Sequence, residues 1–370
     1  MNHIGATTID IVIPGDAAYD VRVERNLAGD ATLWLATEPT ELTPANGRLI
    51  VTGTTVSVRV GADEHRLDRL RIVTPTRLRF IGPSDPVDAA TFDRNVRMLG
   101  TDGQQILRGL HAGVVGYSGT GSPTFEQVVR LGVGAVTVID RKPMSKSNLT
   151  RLHGSGIDDV GRPKVDIAKA YADRIGLPTT VHAVNGSVLD RAVAENLRSC
   201  DVVFVCTDDQ RSRNVLSRLS YRYLIPMFNV GVDVDVRDGE VLGIYGRLNV
   251  IGPGLPCLSC SGQVSGHRMY IESLPEEQRD ALVREGYIKE LPGEAPAVVA
   301  YTTAVASLAL VEFLNRTFGL GDAPAGQLMF FHKARLNKDV AWPRDGCYCT
   351  DPEYVGRGDG PDFLDLSWPS

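Results

Sequence analysis

Runs of Lys and Arg are missing from this 370-residue chain, and its 39 basic residues against 45 acidic ones leave a formal charge of −6. That balance excludes nucleic acid as a main partner, because phosphate contacts need a clustered basic face. Any anionic ligand must be met by a few placed cations. Apolar runs of the ~18 residues needed to span a bilayer are missing too. The longest candidate, "APAVVAYTTAVASLALVEFL", is interrupted by Tyr301, Thr302, Thr303 and Ser307 and carries Glu312 near its end, so it reads as a buried core helix. No basic-then-apolar segment precedes the first polar residues, which predicts a cytoplasmic protein without a membrane partner. Six cysteines are too few, in a chain this long, for a disulfide framework.

What is present is enough apolar sequence, 43%, to bury a full core and to fill about two domains. Residues 7–80 alternate apolar and polar positions in short segments such as "YDVRVERN" and "TVSVRVG", separated by Gly, Pro, Asn and Asp. This predicts a β-rich N-terminal domain over 1–82. "IGPSDPVD" opens a linker followed by a helix, 83–111, and from 112 the pattern becomes strand, helix, strand, helix. "AGVVGY", "AVTVID", "TTVHAV" and "DVVFVCTD" are the apolar runs expected of parallel strands covered on both faces. "SPTFEQVVRLG", "KVDIAKAYADRIG" and "LDRAVAENLRSC" have helical spacing. The fold class is therefore α/β: a doubly wound, mainly parallel sheet over 112–346. An antiparallel extension is expected from a hairpin near Asp238-Gly239. The segment Ser261 to Pro296 reads as a long loop, and 347–370 as a tail carrying a cysteine pair.

Two features carry chemistry. Gly116, Gly119 and Gly121 follow the first strand as G-x-x-G-x-G, not the G-x-G-x-x-G of a dinucleotide fold. Ser122 is expected to cap the next helix with Pro123 in its first turn, turning free N–H groups toward a ligand. Asp140 ends the second strand, where a carboxylate can accept from ribose hydroxyls. Separately, Cys257 and Cys260 in "CLSC" and Cys347 and Cys349 in "CYC" could together make a tetrahedral thiolate site for Zn²⁺. The one-residue spacing of the second pair predicts strain there.

After Asp140 come "SNLTR", "GRPK" and "CTDD", in that order, and with the glycine turn they resemble the ThiF/MoeB/HesA adenylyltransferases, relatives of the ubiquitin-activating enzymes. The resemblance runs from about Phe92 to Cys349. It implies a Rossmann-like adenylation domain that uses ATP and Mg²⁺, with Asn148, Arg151 and Lys164 at the phosphates and ribose and Asp208 at the metal. It implies a homodimer in which Arg94 reaches the partner's site. The substrate implied is the C-terminal carboxylate of a ubiquitin-like sulfur carrier, or alternatively a peptide as in microcin-type pathways. Adenylation builds negative charge over three phosphates, so a metal and cations are the groups it needs. Ser118, Lys142 and Asp209 depart from the family's pattern and keep a non-catalytic ATP-binding scaffold as a rival. No cysteine lies between Ser261 and Thr302, which disfavours a thioester step. An NAD-linked oxidoreductase is disfavoured by the glycine order.

Overall fold

The computed structural model describes residues 88–355 apart from 238, 253, 287–295, 322–323 and 352–353, together with the backbone of seven strands nearer the N-terminus. Those strands are β1 (Asp20–Arg25), β2 (Ala31–Ala36), β3 (Asn46–Thr52), β4 (Thr55–Val60), β5 (Asp63–Leu67), β6 (Arg69–Thr74) and β7 (Arg77–Ile81). They pair antiparallel in the order β5-β4-β3-β1-β2-β7-β6. Residues 83–87 of the expected linker, Asp238, and residues 352–353 and 356–370 of the expected tail lie outside the described residues.

The rest of the chain builds a second sheet. Its elements are α1 (Asp93–Arg108), β8 (His111–Val115), α2 (Gly121–Arg130), β9 (Ala135–Asp140), α3 (Lys164–Ile175), β10 (Thr180–Asn185), α4 (Arg191–Ala194) and β11 (Val202–Val205). They continue as α5 (Gln210–Tyr223), β12 (Met227–Arg237), β13 (Glu240–Ile251), α6 (Gly266–Ser273), α7 (Glu276–Arg284), α8 (Val299–Phe318), β14 (Gly326–Phe330) and β15 (Arg335–Asp339). The order is β10-β9-β8-β11-β12-β13-β14-β15, parallel through β12 and antiparallel beyond it. The expected hairpin is there, with Arg237 opposite Glu240.

Both faces of the parallel half are packed. Val114, Phe125, Val128, Phe204, Phe228 and Phe313 fill one side, under α2 and α8, and Val115, Val203, Val205, Leu216 and Leu219 fill the other, under α5. Phe125 is fully buried, so its truncation to Ala would cost ~3–5 kcal/mol. β10 departs from the expectation of two covered faces. It is the sheet's edge, and Thr180, His182 and Asn185 are exposed. The crossovers reverse direction at β8, whose two neighbours are β9 and β11, and a ligand crevice is expected at the carboxyl ends of strands beside such a reversal.

Two local expectations change. Residues 189–200 give only the four-residue α4 and a 3₁₀ turn, because Asn196 Nδ2 bonds the Ala192 and Val193 carbonyls and competes with the backbone for them. The segment 261–296 is not a bare loop but carries α6 and α7. α8 buries Val305, Ala306, Ala309, Leu310 and Phe313 on one face, while Val311 is exposed on the other. No helix among the described residues is long and apolar enough to cross a membrane.

Candidate active site

The glycine turn after β8 is shaped by contacts with itself and with β11. Gly116 has φ +91°, and a Cβ there would sit 2.7 Å from the Cys206 carbonyl oxygen. At Gly121 a Cβ would be 1.7 Å from the Gly116 oxygen, so only hydrogen fits at either position. Gly119 is different: its added Cβ would meet Arg151 Cδ and Thr302 Cγ2, each at 3.3 Å. Two of the three glycines close the turn, and the third opens onto a side chain.

Ser122 does not cap α2. The helix starts at Gly121 after Thr120, with no side-chain cap, and the Ser122 hydroxyl donates back to the Ser118 carbonyl at 2.7 Å, as a serine inside a first turn does. Among the described residues no backbone hydrogen bond takes the N–H of Gly119, Thr120 or Gly121. Those three donors remain at the positive end of the helix.

Charges gather around Lys164, the first residue of α3 and 5% exposed. Its Nζ lies 3.9 Å from Asp140 Oδ2. Burial pulls the Lys164 pKa below the ordinary lysine value; Asp140 and Asp208 oppose that pull, whereas Lys142 and Arg151 add to it. Asp140 is oriented by backbone alone, Oδ2 accepting from Tyr117 N–H and Oδ1 from Lys142 N–H, both at 2.8 Å. Asn148 is buried and its Oδ1 accepts the Ser145 N–H at 3.0 Å, fixing the 3₁₀ turn that Arg151 follows. Arg151 Nη1 donates to the Ser147 carbonyl at 2.9 Å. The helix cap that Asp208 could have supplied falls to Asp209, whose Oδ1 accepts from Ser212 N–H at 2.7 Å. Asp208 is thereby left for other work.

Two participants escaped the sequence reading. Arg213 is half-buried beside Asp208, Asp209 and Glu272; desolvation pulls its pKa down and the three carboxylates hold it up. Its Nε donates to the Thr207 carbonyl at 3.1 Å. The signal was available, since Arg213 sits one turn into the helix that "CTDD" introduces. Glu272 on α6 had no local signal, yet it accepts from Gln210 N–H at 2.8 Å and Arg211 N–H at 3.1 Å. Arg94 does not join the cluster of its own chain. Its side chain is 87% exposed on α1, 3.8 Å from Asp93 Oδ2, and it lines a cavity of about 280 Å³ with Thr91, Asn95 and Arg130.

The four paired cysteines meet. Cys257 and Cys347 sulfurs are 3.6 Å apart, Cys260 and Cys349 sulfurs 3.8 Å, and all four lie within 4.8 Å of one another. A tetrahedron of thiolates around zinc has edges of about 3.8 Å. Backbone N–H groups of Cys260 and Arg344 point at Cys257 and Cys260 sulfurs. The donor set fits a tetrahedral Zn²⁺. In "CYC" the backbone turn is made by Gly346, at φ +71°, and no residue from Cys347 to Cys349 has positive φ. Tyr348 packs its ring against Tyr221 and its hydroxyl lies 2.8 Å from Ser217 Oγ, both on α5.

Comparison with known proteins points to one family. A model described as the ThiF family matches residues 92–349. The SAMP-activating enzyme E1 of Haloferax volcanii is 26% identical over 279 residues, covering 74% of this chain and 92% of that protein. The molybdopterin-synthase adenylyltransferase of Escherichia coli is 25% identical over 246 residues, covering 65% and 86%. Among solved structures, E. coli MccB with ATP superposes with a TM-score of 0.55 at 16% identity, covering 70% of this chain and 73% of that one. The same enzyme with N-formylated MccA gives 0.57 at 15%, covering 70% and 74%. At that identity the likeness speaks for the fold alone.

Proposed function

The chain belongs to the ThiF family, and from that premise we propose its reaction: ATP-dependent adenylation of a C-terminal carboxylate on a ubiquitin-like sulfur-carrier protein. The products are an acyl-adenylate and pyrophosphate. The observation that carries the reading is the convergence of Asp140, Lys142, Arg151 and Asp208 on buried Lys164, beside a turn with three unused N–H donors. Relatives named as adenylyltransferases support it.

In this reaction the substrate carboxylate attacks the α-phosphorus, a new P–O bond forms, and the bond to pyrophosphate breaks. No protein nucleophile is needed. Lys164 and Arg151 meet the growing charge, and the N–H groups of Gly119, Thr120 and Gly121 donate to phosphate oxygens. Asp140, each oxygen already oriented by one N–H, keeps lone pairs for the ribose hydroxyls. Asn148 offers its amide hydrogens to the nucleotide. Asp208 would hold Mg²⁺, which when bound neutralises phosphate charge. Cys257, Cys260, Cys347 and Cys349 would hold one Zn²⁺ as a structural tie. Arg94 serves the partner's site across a homodimer in the cytoplasm, since nothing in its own chain leads it to Lys164.

The domain plan follows: 1–82 β-rich, 83–111 linker and Arg-bearing helix, 112–346 adenylation, 347–370 cysteine pair and tail. A peptide with a free C-terminus is a second reading. It is favoured by the seven antiparallel strands upstream of the family match, which would grip it as an all-β domain. Incubation with ATP, Mg²⁺ and a panel of ubiquitin-like proteins and peptides tests both, by chromatography of the nucleotide products. Pyrophosphate together with AMP, freed by hydrolysis of the acyl-adenylate, with one carboxylate class supports the reading, and ADP with phosphate would overturn it.

A further inference from the structure

His153 lies two residues past Arg151, and every polar group it owns is engaged. Its N–H donates to Ser122 Oγ at 2.9 Å and its carbonyl accepts from Tyr117 Oη at 3.0 Å, which pins its backbone to the glycine turn. On the ring, Nδ1 lies 2.9 Å from Glu126 Oε2 on α2, and Nε2 lies 3.2 Å from Thr303 Oγ1 on α8. A tautomer with the proton on Nδ1 donates to the carboxylate and accepts from the hydroxyl, satisfying both. The preceding residue of α8, Thr302, and Gly119 both pack near Arg151, since a Cβ at Gly119 would be 3.3 Å from Arg151 Cδ and from Thr302 Cγ2. The His153 ring therefore ties together the two helices whose ends flank Arg151. Among the described residues the Arg151 guanidinium has one hydrogen bond, to a carbonyl four residues back in its own loop.

We propose that His153 is a positioning residue for Arg151. By bridging Glu126 on α2 and Thr303 on α8, it sets where the guanidinium stands beside Gly119 and so against the α-phosphate. The proposal rests on the adenylation reading. It matters because a cation that stabilises a transition state loses its effect when displaced; a misplacement of ~1 Å can cost ~10²-fold. A histidine that only stitches the fold together would lower stability and leave the contribution of Arg151 untouched.

A double-mutant cycle on ATP–pyrophosphate exchange distinguishes these. On the natural background His153→Ala is expected to lose roughly tenfold in kcat. On an Arg151→Ala background it is expected to cost nothing further. His153→Asn, which keeps an N–H toward Glu126, should recover part of the loss. Losses that multiply in the double variant, or full activity in His153→Ala, overturn the proposal. Should His153→Ala fail to fold, Thr303→Val removes the partner of Nε2 and is taken through the same cycle with the same two criteria. If the natural protein exchanges with no carboxylate at all, it is the adenylation reading that fails. The cycle is then run on ATP affinity by calorimetry, where coupling to Arg151 supports the positioning role and additivity overturns it.

Discussion

Two clusters in this molecule gather residues far apart in sequence, and they are built on opposite rules. Around Lys164 the charges are held apart, Asp140 by two N–H groups and Arg151 by a carbonyl, with 3.9 Å as the approach of Lys164 to its nearest carboxylate. Around Cys257 the sulfurs close on one another at 3.6 and 3.8 Å. The first arrangement would take a nucleotide on the proposed reading, whereas the second would be complete with one ion. On the proposed reading, charges held open would serve a rate, and thiolates closed on one another would serve a fold.

The largest expected break in that contrast is Lys164→Ala. Losing one group that stabilises the transition state costs ~10²–10³ in rate, and because burial already disfavours the lysine's charge, the folded state should not suffer. Exchange and melting temperature measured together check this; near-normal exchange would remove Lys164 from the reaction. Arg94→Ala should be comparably inactive, and mixing it with Lys164→Ala under subunit exchange should restore about a quarter of the natural rate, since half the dimers are mixed and each regains one site. Mixed dimers with background activity would return Arg94 to the role of an exposed arginine. Arg97→Ala is the control, because Asp93 holds Arg97 Nε at 3.0 and 3.1 Å.

The thiol cluster should respond the other way. The double variant Cys257→Ser, Cys349→Ser is expected to drop from one bound zinc to none and to melt roughly 10 °C lower. Its exchange, assayed below the new transition, should stay within a fewfold of normal. A rate loss as large as that of Lys164→Ala, at unchanged stability, would collapse the distinction between the two clusters. Smallest of all, Gly119→Ala puts a methyl 3.3 Å from Arg151 Cδ and Thr302 Cγ2, flexible side chains that can yield. A rise of roughly threefold in KM for ATP, about 0.6 kcal/mol, is expected with stability unchanged. The same change at Gly121, where backbone stands 1.7 Å away, should unfold the turn instead.

How much of this is legible in the sequence follows from the range of each interaction. The parallel strands, the hairpin, Asp140 and both cysteine pairs announce themselves through apolar runs and local spacing, whereas Lys164 stands out only through the family resemblance of "GRPK". The Asp208–Asp209 pair could be resolved only by seeing which carboxylate reaches Ser212 N–H. Glu272 serves the start of α5 from 62 residues away, and His153 depends on Thr303, 150 residues on; no window of sequence contains either pair. α4 fails as a longer helix because one side chain, Asn196, takes two carbonyls, a competition that periodicity does not register.

The central claim, that this chain adenylates a C-terminal carboxylate, is tested most directly by isotope exchange between labelled pyrophosphate and ATP. The assay compares a ubiquitin-like carrier bearing a free C-terminus with the same carrier bearing a C-terminal amide. Label should enter ATP only with the free carboxylate and only in the presence of Mg²⁺. Exchange that proceeds equally with the amide, or none with any free carboxylate although ATP binds, would contradict the account.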